Sequence, residues 1–224
     1  MKSVDYSFWA KYIREIHNTL GEPSDIALEV GAGNGKLGEY LKNQFQRLYL
    51  TDFSLEMLKE NKSFIDSVCC DMTALPFQAE FDFIFSTFDT VNYLSNEEKM
   101  RLFFNRIKNN LTKNGYLLFD VSLESNSLKH VEKLNRKGKH KGITYIQKSD
   151  YDKNEKLHSN TLEIKLPDGK WYFEKHEQKI YDFYYYFDVI ESEGLFVAEC
   201  FEAFTFENAS RKSDRVQFIV KREN

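Results

Sequence analysis

Apolar and polar positions alternate with two different periods along this chain, and the period changes once. Phe8, Tyr12, Ile13, Ile16 and Leu20 recur at helical spacing, and Gly21 with Pro23 ends the run, which predicts a leading helix over Tyr6 to Leu20. Short apolar runs then alternate with helical patterns. "IALEV", "RLYLTD", "FIDSVCC", "FDFIFST" and "YLLFDV" read as strands, separated by helices near Lys36 to Lys42, Ser54 to Asn61 and Asn96 to Leu111. Strands alternating with helices predict parallel crossovers, and a strand as continuously apolar as "YLLFDV" fits a sheet covered on both faces.

Beyond Val121 the pattern changes. After a helix over about Leu123 to Asn135 and the basic stretch "RKGKHKG", the segments "ITYIQKSDY", "LHSNTLEIKL" and "KWYFEKHEQKIY" alternate roughly every second residue. The joining loops "DKNEK" and "PDGK" have hairpin composition, so an antiparallel meander is expected, added to the parallel sheet. "RKGKHKG" reads either as a solvated loop or as a basic greeting for an anionic substrate. A helix near Phe183 to Glu193 stops at Gly194, and "LFVAECFEAF" and "RVQFIVKR" read as closing strands. In "YDFYYYFD" aromatics fill nearly every position, so no single face can bury them all.

No repeat or linker divides the 224 residues. One domain is expected over residues 1–224: a leading helix (1–22), a cofactor-binding half (23–122), an inserted antiparallel sheet (138–182) and a closing helix with strands (183–224). A net charge of −4 supplies no electrostatic footprint for nucleic acid or an anionic membrane, and favours a small-molecule partner. Cys69, Cys70 and Cys200 have no metal-ligand spacing, nor do the five histidines, so no metal is expected. With no signal-like or membrane-spanning apolar run, a cytoplasmic protein, monomeric or homodimeric, is the expectation.

The chemistry-bearing stretch is "LEVGAGNGKL", Leu28 to Leu37. Glycines after a first strand allow positive φ and close approach of a ligand to the backbone. The NTPase phosphate loop fails on spacing, because Gly31 and Gly35 enclose three residues and Leu37 follows Lys36. The dinucleotide fingerprint is weakened by Lys36, a long charged side chain where close packing needs a glycine. An acid followed by Gly-x-Gly-x-Gly remains: Glu29, Gly31, Gly33 and Gly35.

In this form, and in the order of "YLTDFSLEML", "CCDMTALPF", "FDFIFSTFDTVNYL" and "LTKNGYLLFDV" after it, the first half resembles the class I S-adenosylmethionine-dependent methyltransferases. "DYSFWAKYI", "FDTVNYL", "HEQKIY" and "SDRVQFIVKR" further resemble small bacterial members that insert an antiparallel sheet after the fifth strand. The resemblance implies a Rossmann-like, doubly wound, mostly parallel sheet with the inserted sheet covering the active site. It implies S-adenosyl-L-methionine as cofactor, cradled by Glu29, Gly31, Ala32, Gly33, Asn34 and Gly35, with Asp52 on the ribose hydroxyls and Phe53 and Met57 beside it. Asp71 and Met72 would meet the adenine, and Thr87 and Phe88, at the end of the fourth strand, would also bind the cofactor.

For the acceptor, Tyr6, Trp9, Asn92 and Tyr93 are the expected pocket residues, from the leading helix and the carboxyl end of the fourth strand. His176, whose neutral form takes a proton near pH 7, and Tyr181 are the expected catalytic pair. The implied activity is methyl transfer to N or O of a small molecule. The competing readings are a methyltransferase acting on RNA or protein, a non-catalytic binding protein that retains the cofactor site, and a Rossmann-type reductase.

Overall fold

The computed structural model describes residues 4–21, 25–63, 65–78, 80–140 and 142–223. Pro23, Phe64 and Lys141, which belong to segments interpreted above, lie outside them. The chain runs α1 (Tyr6–Leu20), β1 (Ile26–Val30), α2 (Lys36–Leu41), β2 (Arg47–Asp52), α3 (Leu55–Lys59), β3 (Asp66–Cys69), β4 (Phe81–Ser86), α4 (Glu97–Asn110) and β5 (Leu111–Ser122). There follow α5 (Glu124–Lys133), β6 (Arg136–His140), β7 (Ile143–Asp152), β8 (Leu157–Lys165), β9 (Trp171–Lys179), α6 (Phe183–Ser192), β10 (Leu195–Glu202) and β11 (Arg215–Arg222).

The main sheet has the order β10-β11-β5-β4-β1-β2-β3. β1 to β5 are parallel, and β11 is antiparallel to both β5 and β10. One face carries α1 and α2 over Phe83, Phe85, Tyr116, Leu118 and Ile219; the other carries α4 and α6 over Phe81, Leu117, Phe119 and Phe218. This two-sided burial is why β5 is apolar almost without a break from Gly115 to Ser122.

Local chemistry fixes the helix ends. Asp5 caps α1 by accepting from Phe8 N at 3.0 Å, and Gly21 closes it at φ 66°. Asn96 caps α4 in the same way, through Lys99 N at 2.9 Å. In α6 the aromatic run divides by helical face: Phe183 and Tyr186 are buried, whereas Tyr184 is 64% exposed. Tyr185 stacks on Tyr181, ring centroids 4.5 Å apart.

The meander is its own four-stranded sheet, β6-β7-β8-β9, rather than an extension of the main one. The basic stretch expected as a loop is strand β6, which sets the start of the inserted sheet at Arg136 and corrects that expectation. Backbone pairing to β7 overrides the poor strand propensity of Arg, Lys and Gly, and the absent side chain of Gly138 leaves room for the Tyr145 ring, whose hydroxyl would lie 2.7 Å from a Cβ there. Asn135 clips this sheet to the end of α5. Its amide accepts from Ser149 N and donates to Ser149 O, both at 3.0 Å.

Candidate active site

Every element that carries a candidate cofactor residue ends at the carboxyl edge of the main sheet, where ligands of doubly wound sheets bind. The turn after β1 takes Gly31, Gly33 and Gly35 to φ 73°, 57° and 71°. Two of them also have neighbours that exclude a side chain: a Cβ on Gly31 would lie 2.3 Å from Thr90 Cγ2, and one on Gly35 2.8 Å from Leu50 Cδ1. The turn is closed by Ala32 N donating to Thr51 O at 2.8 Å and Gly35 N to Ala32 O at 3.0 Å. Asn34 lines a shallow polar groove beside it, with Lys36 and Asn61.

Asp52, at the tip of β2, reaches back to this turn. Its Oδ2 accepts from Gly33 N at 2.7 Å, and Oδ1 accepts from Ser54 N at 2.8 Å, so the carboxylate is oriented with lone pairs to spare. Phe53 is 77% exposed and Met57 is also exposed, an apolar shelf beside a carboxylate. Asp71 caps the short turn Met72–Ala74 through Thr73 N and Thr73 Oγ1, each at 2.8 Å. Thr87 is buried at the end of β4, its carbonyl accepting from Thr90 Oγ1 at 2.7 Å.

Glu29 lies beneath the turn, fully buried, with Oε2 lacking any hydrogen-bond partner. Burial pushes its carboxyl up to about 8; the Gly38 backbone bond opposes the shift and the Asp52 charge adds to it. Such a group is protonated in the folded protein at pH 7 and ionised in the unfolded chain. The stability that its proton uptake confers is therefore complete below about 4.5 and is lost as pH rises towards 8. Glu29→Gln, which mimics the neutral form, is expected to flatten the decline in unfolding free energy between pH 6 and 8; denaturant titrations at three pH values check it.

On the acceptor side, Phe88 and Asp89 adopt positive φ in succession, 61° and 50°. Strained backbone of this kind persists where the surroundings over-determine it, and it clusters at functional sites. Phe88 is gripped by Tyr6 at 5.7 Å and Trp9 at 4.5 Å between centroids, and Trp9 also meets Phe204 at 4.6 Å. Asp89 is held from two sides: Arg215 Nη2 lies 3.2 Å from Oδ1, and Ser122 Oγ donates to Oδ2 at 2.7 Å. Arg215 also bonds Asp120 Oδ2, which accepts from Asp89 N at 2.9 Å. Burial raises the Asp120 carboxyl to about 6 against the opposing pull of Arg215.

The structure brings Tyr93 and His176 together, the phenol oxygen 3.1 Å from Nδ1. Burial, then the charges of Asp89 and Asp52, push the Tyr93 phenol up to about 12, so it is protonated at neutral pH. Two expected site residues have other work. Asn92 is fully buried; its amide donates to Lys179 O at 2.9 Å and Ser122 O at 3.2 Å and accepts from Ser122 N at 2.9 Å. It pins the inserted sheet to β5. The Tyr181 hydroxyl donates to Leu94 O at 2.9 Å.

Asp89, Asp120 and Arg215 escaped the sequence reading. Asp89 stood in the open within "STFDTVNY" at a strand's carboxyl end, but nothing local ties it to Arg215, 126 positions on. Among the described residues no group of three or more His, Cys, Asp or Glu could hold a metal, and no helix is long and apolar enough to cross a membrane.

Residues 28–119 match a family model described as a methyltransferase domain. From β1 to β5 the chain is thus similar to a methyltransferase domain. S-adenosylmethionine is the cofactor of the class I methyltransferases that the sequence resembles, and the residues here fit it: a glycine cradle, a carboxylate at the tip of β2 for a cis-diol, and an unpartnered buried carboxyl oxygen for an ammonium. A methyltransferase candidate of Geobacillus sp. (strain WCH70) is 28% identical, the match covering 99% of this chain and 95% of the relative. In fold, the chain is similar to an S-adenosylmethionine-dependent methyltransferase from Clostridium acetobutylicum ATCC 824, with TM-score 0.87, 22% identity, and 99% and 94% of the two chains covered. It is also similar to the sugar N-methyltransferase KedS8 from Streptoalloteichus sp. ATCC 53650, with TM-score 0.78, 14% identity, and 100% and 90% covered.

Proposed function

We propose that this methyltransferase transfers a methyl group to an N or O atom of a small molecule by in-line displacement. The observation that carries the reading is the inserted sheet fastened over the carboxyl edge of the main sheet, through Asn92 on Lys179 and Tyr93 on His176. A roof anchored beside the carboxyl end of β4 would cover a small acceptor there and limit its contact with water. The net charge of −4 disfavours a polyanionic acceptor.

The sulfonium of the methyl donor supplies a good leaving group when bound, so no residue is needed to activate the methyl. Gly31, Ala32, Gly33, Asn34 and Gly35 would pass beside the methionine part, with Glu29 below its ammonium. Asp52 would grip the ribose, Phe53 and Met57 flanking it, while Asp71 and Met72 meet the adenine. Thr87 and Phe88 border the donor on the acceptor side, where Tyr6, Trp9 and Tyr93 position the acceptor. Alignment of this kind is worth effective molarities of about 10⁵ to 10⁸ M. His176, bonded to Tyr93, would take up the proton an amine or hydroxyl must lose, a contribution of about 10² to 10⁴-fold. Asn92 and Tyr181 hold the roof in position for it.

The test is a panel of amines, amino sugars and phenols assayed for S-adenosylhomocysteine formation, alongside calorimetry with S-adenosylhomocysteine and with NAD. Turnover of a small acceptor supports the reading. Uptake of NAD without S-adenosylhomocysteine, or turnover confined to RNA or protein, overturns it.

A further inference from the structure

Asp120 on β5 and Gln217 on β11 are direct partners in the antiparallel register, so they stand side by side on one face of the sheet. The face is the one α1 covers: Leu118 and Ile219, two positions along each strand, pack into the α1 core. Both polar residues are completely buried. Even so, Asp120 Oδ1 and both Gln217 side-chain atoms, Nε2 and Oε1, have no hydrogen-bond partner. Tyr12 of α1 lies close enough to Asp120 for that charge to add to the burial that raises its phenol, and its hydroxyl is held by the backbone at Phe204 and Thr205.

Leaving three such atoms unpaired costs stability, and folded proteins leave few of them without a reason. Leucine or isoleucine would fill these positions as it does at the next ones along each strand. The retained polarity points to a ligand group, and the unpaired atoms select its chemistry. An anion is repelled by Asp120, which with Asp89 already shares the single guanidinium of Arg215. An ammonium would satisfy Asp120 Oδ1 and Gln217 Oε1 but leave the Gln217 Nε2 donor without an acceptor. A hydroxyl donates to Asp120 Oδ1 and accepts from Gln217 Nε2, leaving only the acceptor Gln217 Oε1, and an unpaired acceptor is better tolerated than an unpaired N–H.

We propose that Asp120 and Gln217 form a specificity subsite that reads a hydroxyl of the methyl acceptor, inward of Phe88, Asp89 and Trp9. This rests on the acceptor reading above and narrows it to hydroxylated acceptors. Arg215, bonded to both Asp89 and Asp120, marks the line between the two.

The experiment offers cyclohexylamine and trans-4-aminocyclohexanol to protein saturated with S-adenosylhomocysteine, by calorimetry. The hydroxylated amine is expected to bind about 10-fold more tightly or better, since a site built to pair a hydroxyl rejects the analogue lacking it. Gln217→Leu is expected to bring the two affinities within about 2-fold, leave S-adenosylhomocysteine binding unchanged and keep the melting temperature at or above that of the parent. Gln217→Met, an unbranched replacement, repeats the test independently of any packing fault in the first variant. Equal affinities in the parent, binding of neither amine, or a preference that survives both substitutions overturns the subsite and leaves a buried water as the occupant. Absence of heat with S-adenosylhomocysteine itself overturns the donor reading instead, and so separates the two failures.

Discussion

Arg215→Met is expected to lower the melting temperature by about 10 °C. The guanidinium is the cation shared by Asp89 and Asp120, and Asp120 is completely buried. Breaking a buried pair by removing one partner costs about 3 to 5 kcal/mol, because the remaining charge is uncompensated. For a chain of this size each kcal/mol moves the midpoint by roughly 2 to 4 °C. Two further measurements identify the cause as electrostatic. Asp120→Leu added to Arg215→Met is expected to recover much of the loss. The variant's deficit is also expected to be smaller at pH 5 than at pH 8, because a carboxyl whose folded pKa is raised takes a proton and sheds its charge as pH falls. A deficit that is equal at both pH values, with no recovery in the double variant, would assign the loss to packing of the arginine stem.

Gly31→Ala is expected to reduce S-adenosylhomocysteine affinity by about 100-fold or more, an effect of about 2.7 kcal/mol. The new methyl would sit 2.3 Å from Thr90 Cγ2 at φ 73°, so the turn must move, and with it the Gly33 N–H that Asp52 holds. Thr90→Ser removes the offending Cγ2, and the pair Gly31→Ala with Thr90→Ser is expected to bind more tightly than Gly31→Ala alone. Gly169→Ala supplies the control. At φ 89° with no atom within 4 Å it carries backbone strain alone, and should cost about 1 kcal/mol of stability and no affinity. Calorimetry on the four proteins decides the matter; unchanged affinity in Gly31→Ala would remove the glycine turn from the site.

How much of this was readable in advance follows from the range of the forces involved. β1 and β2 have the boundaries their apolar runs suggested, and the glycine turn revealed itself because positive φ and close approach are local demands on residue type. β6 was not readable, since its pairing comes from β7 rather than from its own composition. The Asp89–Arg215–Asp120 network and the Asp120–Gln217 pair join residues about a hundred positions apart, and no period in the sequence records them. Asn92 and Tyr93 are adjacent and alike in polarity, yet one is sealed inside as a bracket and the other faces His176. Only tertiary packing distinguishes them.

The position of β11 between β5 and β10 sets a timetable for synthesis. A ribosome that has delivered every residue as far as 214 has made all the other strands, yet the slot beside β5 is still vacant and Asp120 still lacks its guanidinium. An unpaired carboxylate is costly to bury, so sealing that edge of β5 before β11 supplies Arg215 is disfavoured.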